Sequence, residues 1–253
     1  KNVLETYKNQ AYDPENKYSV PYTWGTVGII YNSKYVSEED VTGWDLLWNE
    51  KYAKKILMFD NSRDAFGIAA YKLGIDVNTT DKAELQKCAD ALAKQQPLVQ
   101  QYVMDQVYEK MIEGNAWIAP YYAGDAMMMM DENPDLAYYL PEHQGFNLFT
   151  DAMCIPKCAQ EKEAAELFID FMCNPEVSGA NMDFSQLGVV ASRGGVRETN
   201  RELRYLRIPM ETKRGQILKY LSHIPAGVQL MDVQSMTRTS DLENNQETSI
   251  CLL

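Results

Sequence analysis

The sequence has no apolar run of 18 residues, only five cysteines and only two histidines. Without such a run, no segment is predicted to cross a membrane as a helix. The odd number of cysteines argues against a disulfide framework, and Cys154 and Cys158 have no second pair that would complete a zinc site. We interpret the cysteines as small, buried, apolar thiols. The first thirteen residues are polar and lack the apolar centre of a signal peptide.

Motifs that bind phosphate or catalyse hydrolysis are also missing. The chain has no phosphate loop, no dinucleotide glycine fingerprint, no G-x-S-x-G elbow and no H-E-x-x-H pair. Neither His143 nor His223 has a recognisable partner at a short spacing, so the usual general base is absent. Paired carboxylates could still act as acid and base in a hydrolase, but carboxylate pairs are common in any chain with 36 acidic residues.

The 253-residue chain is acidic, with a net charge of −12. This charge disfavours nucleic acid, whose phosphates it repels, and suits cationic partners. The charge is unevenly distributed, because residues 1–190 carry 15 basic and 29 acidic side chains, whereas residues 191–253 carry 9 and 7. We therefore predict that the charge composition of the chain changes near residue 190.

Strand-like and helix-like patterns alternate between residues 25 and 185, which predicts an α/β fold with a largely parallel sheet. The predicted strands are 18–22, 25–32, 56–59, 116–119, 136–140 and 148–155. The predicted helices are 43–48, a helix capped by Asn61 or Ser62 and ended by Gly74, 81–95, 103–113, one that starts near Asp125, and 161–172.

Carboxylates and aromatic residues follow three of these strands. In open α/β sheets, ligands collect at the carboxyl ends of strands and at the starts of the following helices. Carboxylates pair with ammonium groups, and aromatic faces cover methylenes, so such a lining suits a cation with an apolar body. The rule selects Asp60, Asn61 and Asp64 after the strand that ends at residue 59, Tyr121, Tyr122 and Asp125 after the strand that ends at residue 119, and Phe149 with Asp151 in the segment 148–155.

These residues lie within segments that resemble the polyamine-binding proteins of ABC importers, a family of extracytoplasmic solute-binding proteins. The resemblance covers about residues 13–198 and is carried by the segments YSVPYTWG, GIIYN, GWDLLW, KILMFDNSRDAF, DAMCIP and FMCNP. The tryptophan segment is shared by many solute-binding proteins. The most specific part is the spaced set Asp64, Tyr122, Asp125, Phe149 and Asp151.

The resemblance implies a set of ligand contacts, with ammonium pairing by Asp64, Asp125 and Asp151 and stacking by Tyr122 and Phe149. Asn61 also belongs to this set, at a position where the spermidine-binding member has an aspartate. Tyr122 falls where the family usually has a tryptophan. These two replacements slightly favour putrescine over spermidine.

The resemblance also implies a two-lobe periplasmic-binding-protein type II fold. Family members begin with a leader and a stretch of lobe one that this chain is expected to lack, so its first lobe is expected to be incomplete. The expected division is 1–28 for the remnant of lobe one and the first hinge strand, 29–148 for lobe two, 149–192 for the returning part of lobe one, and 193–253 for a segment poorly matched to the family. A reading-frame slip or a mis-joined end is our hypothesis for that last segment.

The function implied by the resemblance is non-enzymatic and needs no cofactor or metal. A monomer captures putrescine or spermidine outside the cytoplasm, either in the periplasm or lipid-anchored on a Gram-positive membrane, and delivers it to an ABC permease. A competing hypothesis is ferric-ion binding, because Tyr121 and Tyr122 resemble the paired tyrosines of ferric-ion-binding proteins with a similar fold. The sequence also leaves open a carboxylate-dependent hydrolase and a fragment that cannot bury its core.

Overall fold

The structure is a computed structural model that describes residues 2–185 and 188–189. The predictions made for residues 193–253 lie outside the described residues. The described chain divides into a larger unit, residues 25–148, and a smaller unit, formed by residues 2–24, 149–185 and 188–189. The assignment of these units to the lobes of a solute-binding protein stays a prediction. Within the described residues, no helix is both long enough and apolar enough to span a membrane.

The larger unit is built on a mixed sheet. Its strands are β1 (Val20–Asn32), which enters this unit at residue 25, β2 (Ile56–Phe59), β3 (Val99–Val103), β4 (Ile118–Tyr122) and β5 (Leu136–Tyr139). Their order is β3-β2-β4-β1-β5. Strand β2 runs parallel to β3 and β4, whereas β1 runs antiparallel to β4 and β5. The α/β class is confirmed, but the prediction of a largely parallel sheet is wrong, because apolar runs predict strands without their direction.

The α-helices described in the larger unit are α1 (Ser62–Leu73), α2 (Lys82–Gln95), α3 (Gln106–Ile112) and α4 (Ala123–Glu132). The predicted limits of α1 are confirmed. The Asn61 side-chain oxygen accepts hydrogen bonds from the N–H groups of Arg63 and Asp64, and Gly74 follows the helix with a left-handed φ of 65°. Helix α2 also begins where predicted, but Leu85 is exposed, so its predicted inward position is wrong.

The core of the larger unit includes the whole of β2, in which every residue is buried. The predicted helix at 43–48 is a short 3-10 helix, Trp44–Trp48. The Trp44 side chain is fully buried, and its indole N–H donates to the carbonyl oxygen of Gly145 at 2.8 Å. This contact ties a segment before β2 to one that follows β5.

Other predictions for this unit need correction. The two strands predicted at 18–22 and 25–32 are one continuous strand, β1. The helix predicted at 103–113 begins only at Gln106, because residues 99–103 form β3. Strand β3 was not predicted, because only its end residues are buried and the three between them are exposed. Strand β4 extends to Tyr122, beyond the predicted end at residue 119.

The smaller unit contains the first part of β1, strands β6 (Leu148–Met153) and β7 (Gly188–Val189), and helices α5 (Lys162–Met172) and α6 (Pro175–Ser185). Strands β6 and β7 both pair with β1, and Thr23 lies opposite Val189. The strand predicted at 148–155 is present but ends at Met153, and the helix predicted at 161–172 is confirmed. Three large apolar side chains of α5 are exposed, at 68% for Leu167, 54% for Phe168 and 57% for Phe171.

The cysteines agree only in part with the prediction. Cys88 and Cys173 are buried, Cys154 is half-buried and Cys158 is exposed, and within the described part of the chain all four are free thiols. The prediction of a buried thiol is therefore wrong for Cys158. Cys251 lies outside the described residues.

Candidate functional site

The carboxyl ends of two parallel strands carry the predicted site residues of the larger unit. Strand β2 ends at Phe59, and Asp64 lies in the first turn of the helix that follows it, α1. Strand β4 ends at Tyr122, and Asp125 lies in the first turn of α4. Because β2 and β4 are parallel neighbours, their carboxyl ends lie at the same edge of the sheet.

Tyr122 and Asp64 are joined directly. The phenolic hydroxyl of Tyr122 donates a hydrogen bond to Oδ2 of Asp64 at 2.9 Å. Burial raises the pKa of the Asp64 carboxyl, and this hydrogen bond and the Arg63 charge oppose the rise. Burial and the Asp64 charge in turn raise the pKa of Tyr122. The Tyr122 phenol, kept neutral by its raised pKa, therefore donates to the half-buried Asp64 carboxyl.

Asp125 is the second half-buried carboxylate of this group. Burial raises its pKa, and the charge of Asp105 raises it further. Within the described part of the chain, the Asp125 carboxylate has neither a hydrogen bond nor a salt bridge to a side chain. A desolvated carboxylate in this state has a strong tendency to accept a cation.

Asp105 was missed by the sequence analysis. It immediately precedes α3 and follows β3 by two residues. Because β3 was not predicted from the sequence, Asp105 was not recognised as a residue at a strand end. Its side chain makes no capping hydrogen bond to the helix. The charge of Asp105 acts on both Asp125 and Tyr121, whose pKa values it raises. Asp105 therefore adds negative charge at the same edge of the sheet.

Three aromatic rings pack beside these carboxylates. The ring centroid of Phe59 lies 6.2 Å from that of Tyr121 and 5.4 Å from that of Tyr122, and the two tyrosine rings are 5.5 Å apart. Tyr121 is buried and Tyr122 is half-buried. Burial, followed by nearby carboxylates, raises the pKa of both phenols. Both phenols are therefore protonated at neutral pH in the ligand-free protein.

Asn61 lies at the same strand end, but its side chain has a structural use. Its oxygen accepts the hydrogen bonds that cap α1, from Arg63 and Asp64. The remaining polar group of the amide is an NH₂ donor, which does not attract an ammonium ion. The structure therefore places Asn61 next to Asp64 without giving it the charge that an aspartate would have.

Phe149 and Asp151 belong to the smaller unit. They are two residues apart on β6, so their side chains lie on the same face of that strand. Oδ2 of Asp151 accepts a hydrogen bond from the Thr23 hydroxyl at 2.8 Å. The Asp151 side chain is exposed to solvent, although nearby protein atoms still limit its hydration enough to raise its pKa, and the Thr23 bond opposes this rise. Thr23 is a second residue that no sequence pattern singled out.

Comparison with known proteins adds to this geometry. The family model for bacterial extracellular solute-binding proteins matches residues 1–192. The chain belongs to this family. The resemblance to polyamine-binding members is also confirmed. The spermidine/putrescine-binding periplasmic protein of Salmonella typhimurium is 32% identical over 170 residues, which are 67% of this chain and 49% of that protein.

Other members of the family show the same relationship. The putrescine/agmatine-binding protein of Pseudomonas aeruginosa is 28% identical over 186 residues, covering 67% of this chain and 50% of that protein. The chain thus spans about half the length of the curated relatives it matches. Among solved structures, the spermidine/putrescine ABC transporter substrate-binding protein PotD from Streptococcus pneumoniae has a TM-score of 0.70 and 31% identity, with 96% of this chain and 72% of that chain covered.

Proposed function

We propose that this chain is a non-enzymatic, monomeric solute-binding protein that captures a polyamine outside the cytoplasm and delivers it to an ABC permease. The observation that carries the proposal is the group formed by Asp64, Tyr122 and Asp125 in the larger unit. It combines half-buried carboxylates with aromatic rings, and Tyr122 orients Asp64 through a hydrogen bond of 2.9 Å. The names of the relatives support the same class of ligand.

The chemistry of the larger unit suits an ammonium group. Oδ2 of Asp64 is occupied by the Tyr122 hydroxyl, which leaves Oδ1 to accept from a cation. Asp125 provides a second carboxylate, and the negative charge of Asp105 strengthens the attraction for a cation. A charge-assisted hydrogen bond from an ammonium would offset the cost of keeping these carboxylates desolvated. The exposed part of the Tyr122 ring would cover methylenes and add cation–π attraction.

The smaller unit also combines a carboxylate with an aromatic ring. Asp151 is a carboxylate whose orientation is set by Thr23, and Phe149 lies on the same face of β6. We assign Asp151 to ammonium pairing and Phe149 to contact with methylenes. We expect loss of Asp151 to cost the most affinity, because it would leave one ammonium group of the bound polyamine without its charged partner.

Among polyamines, we propose putrescine as the preferred ligand. Asn61 stands beside Asp64 without a charge, and its oxygen caps α1, so this position offers no further carboxylate for a third amine. Tyr122 gives a smaller stacking surface than tryptophan would. Both features favour the shorter diamine over spermidine.

The experiment is a thermal melt followed by calorimetric titration with putrescine, spermidine and ferric citrate. A ligand at 100 times its Kd should stabilise the protein by about 2.7 kcal/mol. Butylamine and 1,4-butanediol are matched controls, since they remove one or both ammonium groups. A shift with ferric citrate alone would favour iron binding, and turnover on a glycoside panel would favour a hydrolase. A cooperative melt that no polyamine shifts would contradict the proposal.

The site assignment is tested separately with Asp151→Asn. We expect putrescine affinity to fall by at least tenfold, which is about 1.4 kcal/mol. Asp170→Asn, an exposed acidic position on α5, is the matched control and should leave affinity unchanged. If Asp151→Asn stays within about threefold of the unsubstituted chain, Asp151 is not the main ammonium partner.

A further inference from the structure

The side chain of Tyr138 lies across β1 in the larger unit. Tyr138 is on β5, where its backbone pairs with Ile30 of β1. A Cβ atom added at Gly28 would lie 2.6 Å from both Cζ and Oη of Tyr138. The phenol ring therefore passes directly over Gly28, in space that any larger residue at position 28 would fill.

The Tyr138 hydroxyl reaches the strand on the other side of β1. It lies 3.3 Å from the carbonyl oxygen of Tyr121 on β4 and 3.4 Å from that of Thr26 on β1, and can donate to either. Tyr121 is the residue opposite Gly28 in the pairing of β1 with β4. One side chain thus spans three strands and meets the backbone one residue before Tyr122.

This contact is made to the backbone of the residue that precedes Tyr122 of the candidate site. Tyr138 is 9% exposed, so its hydroxyl is enclosed by protein and is not available to a ligand. The carbonyl of Tyr121 immediately precedes Tyr122, whose own hydroxyl donates to Asp64 at 2.9 Å. Because that bond joins side chains on two elements, it depends on where the end of β4 lies.

We propose that Tyr138 is a positioning residue for the candidate site: its buried hydroxyl holds the carboxyl end of β4, and thereby sets the hydrogen bond from Tyr122 to Asp64. Gly28 is part of the same arrangement, since the absence of a side chain at this position leaves room for the Tyr138 ring. The consequence for ligand affinity rests on the proposed function. The consequence for Asp64 does not, because it concerns the protein without ligand.

The first test measures the pKa of the Asp64 carboxyl by carbon-13 NMR in the ligand-free protein. The Tyr122 hydrogen bond lowers the pKa of Asp64, so loosening it should raise that pKa. Tyr138→Phe should shift the Asp64 titration upward, in the same direction as Tyr122→Phe. Tyr71→Phe is the matched control, because the Tyr71 hydroxyl is also buried but has no hydrogen-bond partner among the described residues. An unchanged Asp64 titration in Tyr138→Phe would overturn the proposal.

The second test is a double-mutant cycle on putrescine affinity. Tyr138→Phe alone should weaken binding roughly fivefold, or about 1 kcal/mol. In the Tyr122→Phe background it should have almost no further effect, because the bond it positions is already gone. Fully additive effects would mean that Tyr138 changes affinity independently of the hydrogen bond from Tyr122 to Asp64, and would overturn the proposal. A parent protein that binds no polyamine would contradict the proposed function and leave the NMR test intact.

A second variant guards against a Tyr138→Phe protein that does not fold. Gly28→Ala keeps the hydroxyl, but its Cβ would lie 2.6 Å from both the Tyr138 ring and the carbonyl oxygen of Tyr139. It therefore displaces the ring together with the β5 backbone, and should also raise the pKa of Asp64. Gly179→Ala is its control, since an added Cβ there has no heavy atom within 4 Å. A Gly28→Ala protein with an unshifted Asp64 titration would count against the proposal in the same way.

Discussion

The Tyr122 hydroxyl donates to Oδ2 of Asp64 at 2.9 Å and joins the end of β4 to the first turn of α1. The two residues are 58 positions apart in the sequence. Burial disfavours the ionised form of Asp64, and the bond from Tyr122 favours it. The tyrosine therefore helps to keep at neutral pH the charge that a cation would bind.

Replacing Tyr122 by phenylalanine should make cation binding more sensitive to acid. Loss of the hydrogen bond raises the pKa of Asp64, so the carboxylate is lost at a higher pH as the solution is acidified. We expect the acidic limb of a plot of putrescine affinity against pH to move to higher pH. Tyr121→Phe is the control, because it removes the neighbouring phenol and leaves the hydrogen bond from Tyr122 to Asp64 in place. Superimposable profiles for Tyr122→Phe and the parent would contradict this role.

Asp125→Asn should stabilise the ligand-free protein at neutral pH while weakening ligand binding. Burial, and then Asp105, raises the pKa of Asp125 above its ordinary value of 3.8. Its contribution to the free energy of unfolding is thus fully present below that value and is lost as pH rises through the folded-state pKa. The asparagine variant removes this loss, so its melting temperature should exceed that of the parent at pH 7 and depend less on pH.

The control for this comparison is Asp170→Asn, an exposed acidic position on α5. It should change neither the melting temperature nor the putrescine affinity. For Asp125→Asn we expect affinity to fall by at least tenfold, or about 1.4 kcal/mol. An Asp125→Asn protein that melts at a lower temperature and binds putrescine normally would show that the carboxylate is structural.

The contribution of Asp13 to the free energy of unfolding should depend on pH in the opposite sense to that of Asp125. Burial alone would raise its pKa, but hydrogen bonds from the N–H groups of Tyr18, Lys17 and Ser19 and from the Ser19 hydroxyl outweigh it and hold the pKa below 3.8. The stabilisation is present above the ordinary value and is lost as pH falls through the lowered folded-state pKa.

Asp13→Ala should therefore lower the free energy of unfolding by about 1–3 kcal/mol at pH 7, because it leaves backbone donors unsatisfied. Urea unfolding at pH 7 and near pH 2 measures the effect, which should shrink at the lower pH. Glu15→Ala, an exposed neighbour, should stay within about 0.5 kcal/mol of the parent. An equal loss in both variants would show that Asp13 does not organise this loop.

Two substitutions at Asn61 can distinguish a role in helix capping from a role in ligand contact. Asn61→Ala should lower the free energy of unfolding by about 0.5–2 kcal/mol, because α1 loses its N-cap acceptor. Asn61→Ser retains a capping oxygen and should recover most of this loss in a thermal melt. Its putrescine affinity should match that of the parent. A serine variant with normal stability and tenfold weaker binding would instead show direct contact between Asn61 and the ligand.

Local sequence signals predicted much of the framework of the larger unit. The apolar run at 56–59 is a fully buried strand, and Asn61 and Gly74 bound α1 as their capping preferences indicate. Strand β3 was missed because an edge strand with exposed central residues lacks the expected pattern. Asp105, which depends on that strand, was missed with it.

The sequence by itself determined which chemical groups this protein has at its strand ends: carboxylates, aromatic rings and an uncharged amide. It also determined the family, because the matching segments are contiguous in the chain. Only the tertiary structure decided the direction of β1, the pairing of Tyr122 with Asp64 and of Thr23 with Asp151, and the passage of Tyr138 over Gly28. Each of these joins residues that are far apart in sequence. Their proximity follows from sheet register and side-chain packing, which local patterns do not encode.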